Sequence, residues 1–144
     1  MTRKFGRTKA HREHMLTNMS RLLVNAEKLE TTLPKAKEVR AIVERWVTLA
    51  KQVVAGTGSA ALASRRRLYA SVGNDDVARK LVDDLAKRTA KRPGGYTRIL
   101  KTGFRVGDAA PKAKLMFVDV PTRAEQKTAK TSAVSEQDAA KATE

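Results

Sequence analysis

Two histidines and a run of three arginines are the first residues of this chain whose type and spacing bear on chemistry. His11 and His14 stand at i and i+3, which places both on one side of a helix, but no third ligand cluster accompanies them and a zinc site is not built. His11 instead adjoins Arg12 at the end of a series, Arg3, Lys4, Arg7 and Lys9, that meets no acid before Glu13, and there it reads as an RNA or phosphate contact. Arg65, Arg66 and Arg67 sweep about 200° of a helix, and with no acid between residues 45 and 74 they have no sequence neighbour to pair with. A polyanion is the partner such a run fits. From Leu85 to Gly107 there is again no acid, while Lys87, Arg88, Lys91, Arg92, Arg98, Lys101 and Arg105 add positive charge. Pro93-Gly94-Gly95 lies within that block. It lacks the lysine-serine pair and the preceding strand of a nucleotide-binding loop, so its glycines serve a tight turn or the close approach of a partner.

Catalysis finds no machinery in these residues. There is no Cys, hence no thiolate nucleophile, disulfide or Cys-bound zinc, and no Ser-His-Asp set, paired-carboxylate pocket or magnesium-binding acid cluster can be assembled. We therefore expect no enzyme, no cofactor and no small-molecule substrate. Thirty Lys and Arg against fifteen Asp and Glu give a net charge of +15, which self-repels until a polyanion neutralises it. No apolar run approaches the roughly 18 residues needed to span a bilayer, and the first 30 residues lack a secretory pattern. A cytoplasmic protein without a membrane partner is the expectation.

Positioning these cations requires a fold, and 144 residues suffice for one domain. Met15, Leu16, Met19, Leu22, Leu23 and Ala26 recur at spacings of one, three and four and predict an amphipathic helix over 10–28. Residues 29–33 form a short extended link, and Pro34 suits the first turn of a second helix. Val39, Ile42, Val43, Trp46, Val47, Ala50 and Val53 carry that helix to about Val54, with Trp46 in the core rather than on a base. Ser59 is the expected cap of a third helix through Leu62, Leu68, Tyr69 and Val72. Gly73 stops it. Asn74 caps a fourth helix, with Asp75 and Asp76 in its first turn and Lys87 and Arg88 in its last. Tyr96–Val106 and Ala113–Val120 are rich in β-branched and aromatic residues and predict a hairpin closed by 107–111. A lone hairpin is marginal, so the link at 29–33 is the candidate third strand of an α+β domain. Residues 1–9 are a basic arm expected to order only on RNA, with Phe5 available to wedge or stack; 10–121 form the domain. Residues 122–144, balanced in charge and with Val134 as their only large apolar residue, read as a disordered tail.

The string from Arg92 to Pro111, RPGGYTRILKTGFRVGDAAP, resembles the signature of the bacterial large-subunit ribosomal protein number seventeen family. Residues 31–40 (TTLPKAKEVR) and 6–16 (GRTKAHREHML) resemble its second-helix start and the end of its basic arm, so the likeness runs over about residues 3–120. The resemblance implies about four helices on a small mixed three-stranded sheet. It also implies binding to 23S rRNA, neighbouring large-subunit proteins near the exit-tunnel region, a part in subunit assembly and translation, and no enzyme activity. The arm before Gly6 looks shorter than the family's usual one, and 122–144 run past its usual end. With the basic blocks, the predicted RNA contacts are Arg3, Lys4, Arg7, Lys9, His11, Arg12, Lys35, Lys37, Arg65, Arg66, Arg67, Lys91, Arg92, Gly94, Gly95, Tyr96, Arg98, Lys101 and Arg105. A DNA-compacting protein and an anionic-membrane protein are the competing classes. No helix-turn-helix, zinc pattern or zipper favours the first, and the core-like apolar stripes leave the second no free amphipathic helix.

Overall fold

The structure is a computed structural model, and it describes residues 3–118. In chain order it contains α1 (Lys9–Ala26), β1 (Lys28–Thr32), α2 (Leu33–Ala55) and α3 (Gly58–Val72), then a fourth helix over 75–88 and the strands β2 (Thr97–Phe104) and β3 (Pro111–Phe117). The fourth helix is α4 (Asp75–Lys80), a π-helical turn (Leu81–Leu85) and one closing turn, α5 (Ala86–Arg88). At that turn the Ala86 N–H reaches back five residues to the Leu81 carbonyl.

The apolar spacing of α2 explains its central place. Ala36, Val39, Val43, Trp46, Val47 and Ala50 are buried along one stripe, and α2 packs against α1, α3, the fourth helix and all three strands. The Trp46 indole is 1% exposed and donates its Nε1–H to Ser71 Oγ at 2.7 Å, tying α2 to α3. Pro34 sits in the first turn as expected, where its missing N–H costs nothing. Asn74 caps α4 through its side chain, which accepts from the Val77 N–H at 3.1 Å.

The sheet has the order β1-β3-β2, and both pairings are antiparallel. The mixed sheet implied by resemblance is therefore corrected: β2 and β3 form a hairpin, and β1 docks on the other side of β3 running opposite to it. Ala113, Leu115 and Phe117 alternate inward and are buried, closing the core against α2. A bulge at Lys101/Gly103 interrupts the β2–β3 register.

Three local expectations shift. In α1 the buried stripe is Leu16, Ser20, Leu23 and Val24, while Leu22 is exposed; Ser20 is accepted in the core because its hydroxyl bonds back to the Leu16 carbonyl at 2.8 Å. Helix α3 begins at Gly58, ahead of Ser59, and its N-cap Thr57 makes no side-chain cap bond. The arm over 3–8 lies on the domain. Arg3 N–H donates to Glu38 Oε1 at 3.4 Å, Phe5 packs half-buried against the core, and Arg7 donates from Nη1 to the Phe5 carbonyl. Phe5 is thus an anchor, not a free wedge. The expected tail, 122–144, falls outside the described residues.

Candidate nucleic-acid interface

Strand β2 runs backwards along α2, and three contacts trace the path. Lys51 Nζ donates to the Arg92 carbonyl at 2.5 Å, Thr97 Oγ1 donates to Glu44 Oε1 at 3.1 Å, and Ile99 borders a depression with Lys37, Arg40 and Glu44. Further along, Lys35, Arg105 and Lys112 line one cleft beside Glu30, Thr31 and Thr32. The start of α2 and the outer end of the hairpin therefore form one basic surface, and Arg3 of the arm reaches it through Glu38, next to Lys37.

Residues directly opposite one another in the antiparallel ladder share a face. The face turned away from α2 carries the rows Lys28–Met116–Arg98, Glu30–Lys114–Leu100 and Thr32–Lys112–Gly103. Lys28, Arg98, Lys112 and Lys114 thus stand against a single carboxylate, Glu30, which Lys112 approaches at 3.6 Å. Lys28, Lys112 and Lys114 were not among the predicted contacts. The signal for Lys112 and Lys114 was the alternation Lys112-Ala113-Lys114-Leu115, which a count of charge blocks does not see.

The loop before β2 is held from beneath. The Tyr96 hydroxyl lies 3.4 Å from the Pro93 carbonyl, with Lys51 Nζ 5.2 Å above the ring. Tyr96, expected as an RNA contact, is only 3% exposed: its apolar ring completes the core and its hydroxyl steadies the loop. Gly95 has φ +66°, the left-handed region the turn requires, and a Cβ at Gly94 or Gly95 would meet nothing within 4 Å. The backbone there is open to a partner, and Lys91 and Arg98 beside it are exposed.

Helix α1 begins with Lys9, His11 and Arg12, and no acid lies in its first turn. Cations at a helix N-terminus oppose the macrodipole, an arrangement a bound anion relieves. Arg65, Arg66 and Arg67 form a separate patch, exposed on α3, which packs on α2 and α4 and away from the strands. Among the described residues no carboxylate lies within ion-pair distance of this triplet, and Arg65 sits 5.6 Å from the centre of the Tyr69 ring.

Other cations are committed to the fold. Arg21 closes the end of α3 by donating to the carbonyls of Val72 (2.7 Å) and Gly73 (3.0 Å). Arg88 reaches Glu27 at 2.9 Å and Asp84 at 3.1 Å, joining the fourth helix to the α1–β1 turn. Arg105, a predicted contact, is held in a two-pronged pair with Asp108, whose carboxyl is lowered to about 2 by that hydrogen bond and by the Ala110 N–H. His11 and His14 belong to no metal-ligand cluster among the described residues.

A family model described as Ribosomal protein L17 matches residues 15–118. The chain is 51% identical over 117 residues to the large ribosomal subunit protein bL17 of Rhodopseudomonas palustris strain BisB18, covering 81% of this chain and 82% of that one. The protein of the same name from strain HaA2 is 48% identical over 140 residues, 97% of this chain and 94% of its own length, so the C-terminal extension has a counterpart there. The one from Anaplasma marginale is 49% identical over 118 residues, 81% of this chain and 86% of the relative.

Proposed function

Because this chain belongs to the ribosomal protein L17 family, we propose that it is a structural constituent of the large ribosomal subunit, cytoplasmic and without enzymatic activity, that binds 23S rRNA and supports subunit assembly and translation. The observation that supports the RNA reading is the outer sheet face, where Lys28, Arg98, Lys112 and Lys114 stand with Glu30 as the one acid of that face, and where Lys35 of the α2 start joins Lys112 in one cleft. The arm, the first turn of α1, the open Gly94–Gly95 backbone and the α3 triplet add further cations. Displacement of counterions from phosphates supplies the affinity, and the packed core fixes where each cation sits. Neighbouring ribosomal proteins near the exit-tunnel region complete its surroundings.

Sucrose-gradient fractionation of a native lysate after a high-salt wash tests this reading. The chain should co-migrate with the large subunit through the wash. Migration at the top of the gradient, or release at modest salt, would replace it with general nucleic-acid binding.

A further inference from the structure

The end of the hairpin shows two large apolar side chains to solvent. Phe104 is 70% exposed and Val106 100%, while Leu115, Met116 and Phe117 of β3 turn inward or are half-covered. Single exposed apolar groups are ordinary, but Phe104 and Val106 are two residues apart at the strand end and its turn, and large apolar surface at one place marks contact with a partner.

The turn that carries them is firmly built. Arg105 N–H donates to the Ala110 carbonyl at 2.9 Å, Ala109 N–H returns to the Arg105 carbonyl at 3.0 Å, and the Arg105 guanidinium grips Asp108. The bulge at Lys101/Gly103 and the positive φ of Gly103 (+106°) and Gly107 (+103°) turn the strand at this point. Phe104 and Val106 are therefore presented in a fixed geometry, which lowers the ordering cost of binding.

Resting on the RNA reading above, we propose that this tip is a preformed stacking wedge for unpaired RNA bases, with Phe104 the stacking ring and Val106 its apolar flank. The charge around it selects the occupant. Lys35, Arg105 and Lys112 line the cleft at the base of the turn with Glu30, exposed Lys101 lies on the strand leading to it, and Asp108, the one carboxylate of the turn, is already taken by Arg105. Unpaired RNA offers both an apolar π-face for the ring and phosphates for the lysines.

The test uses the full chain and purified 23S rRNA, with affinity measured across a salt series. Phe104→Ala should bind about five- to hundred-fold more weakly, the range of one lost base stack, while its slope against salt stays unchanged. Phe104→Trp should bind within a few-fold of the parent, and its added indole emission should be quenched on RNA, against the constant background of the buried Trp46. Unchanged melting temperatures in both variants confirm that the fold is intact. Equal affinity of Phe104→Ala and the parent overturns the wedge, as does Phe104→Trp binding without quenching. Normal RNA affinity combined with loss of Phe104→Ala from assembled subunits also overturns it, in favour of a protein contact. If the parent chain itself shows no salt-dependent binding to 23S rRNA, the failure lies with the proposed function.

Discussion

Asp108 is an exposed carboxylate, yet it is held down to about 2 because the Arg105 side chain hydrogen-bonds to it and the Ala110 N–H adds a second donor. A carboxyl depressed in the folded state contributes above its unfolded value near 3.9, and that contribution is lost as pH falls toward 2. In an NMR titration the Ala110 amide should therefore move near pH 2, and in Arg105→Ala the Asp108 carboxyl should titrate at higher pH, nearer its ordinary value, with the Ala110 N–H still holding it partly down. A wild-type midpoint near 4 would show that the pair does not hold the turn in solution. Trp46 is a residue of the opposite kind, buried and bonded to Ser71, and Trp46→Ala should cost ~3–5 kcal/mol of unfolding free energy by denaturant titration. Its helical spacing made it legible from sequence. Tyr96 was harder to place because an amphipathic ring after two glycines suits either core or ligand, and only the packing that buries its ring places it in the core.

At the scale of elements, helix periodicity and glycine and asparagine punctuation made the helices readable to within a few residues, as Gly73 and Asn74 between α3 and α4 show. The sheet was readable as three short β-rich segments. Its outer face was not, because a lysine on alternate positions of β3 becomes a basic surface only once β1 and β2 bring Lys28 and Arg98 beside it. The first turn of α1 carries the sharper consequence. Lys9, His11 and Arg12 stand where acids would favour the dipole, so Lys9→Glu should stabilise the domain by about 0.3–1 kcal/mol while weakening RNA binding. Thermal unfolding and filter binding on the same variant check both signs; a variant that loses stability as well would mean that Lys9 holds the fold. The α3 triplet should behave differently. Replacing Arg65, Arg66 and Arg67 with Ala leaves the buried Leu68 and Val72 in place, so melting should change little while affinity falls and the salt slope flattens. A lowered melting point with unchanged binding would assign the triplet to structure.

For the whole molecule, two of the cationic surfaces lie on different flanks of α2. One joins the α2 start, the outer face of the sheet and the hairpin; the other is the α3 triplet, on a helix that packs on α2 and α4 and away from the strands. A straight duplex meets one such surface at a time, whereas folded RNA curves around a domain and meets both. If about six to ten phosphates are neutralised in the second case, affinity for 23S rRNA should fall by about 10³–10⁵ between 50 and 200 mM salt, by the duplex calibration of roughly −0.9 per contact. A random DNA duplex should give a shallower slope, short by about the contribution of one surface. The α3 variant should narrow that gap, because it removes the surface that only the folded RNA engages together with the other. Fluorescence anisotropy across the salt series measures both slopes, and equal slopes on the two nucleic acids would mean that the surfaces do not act together and that this chain binds polyanions without regard to their fold.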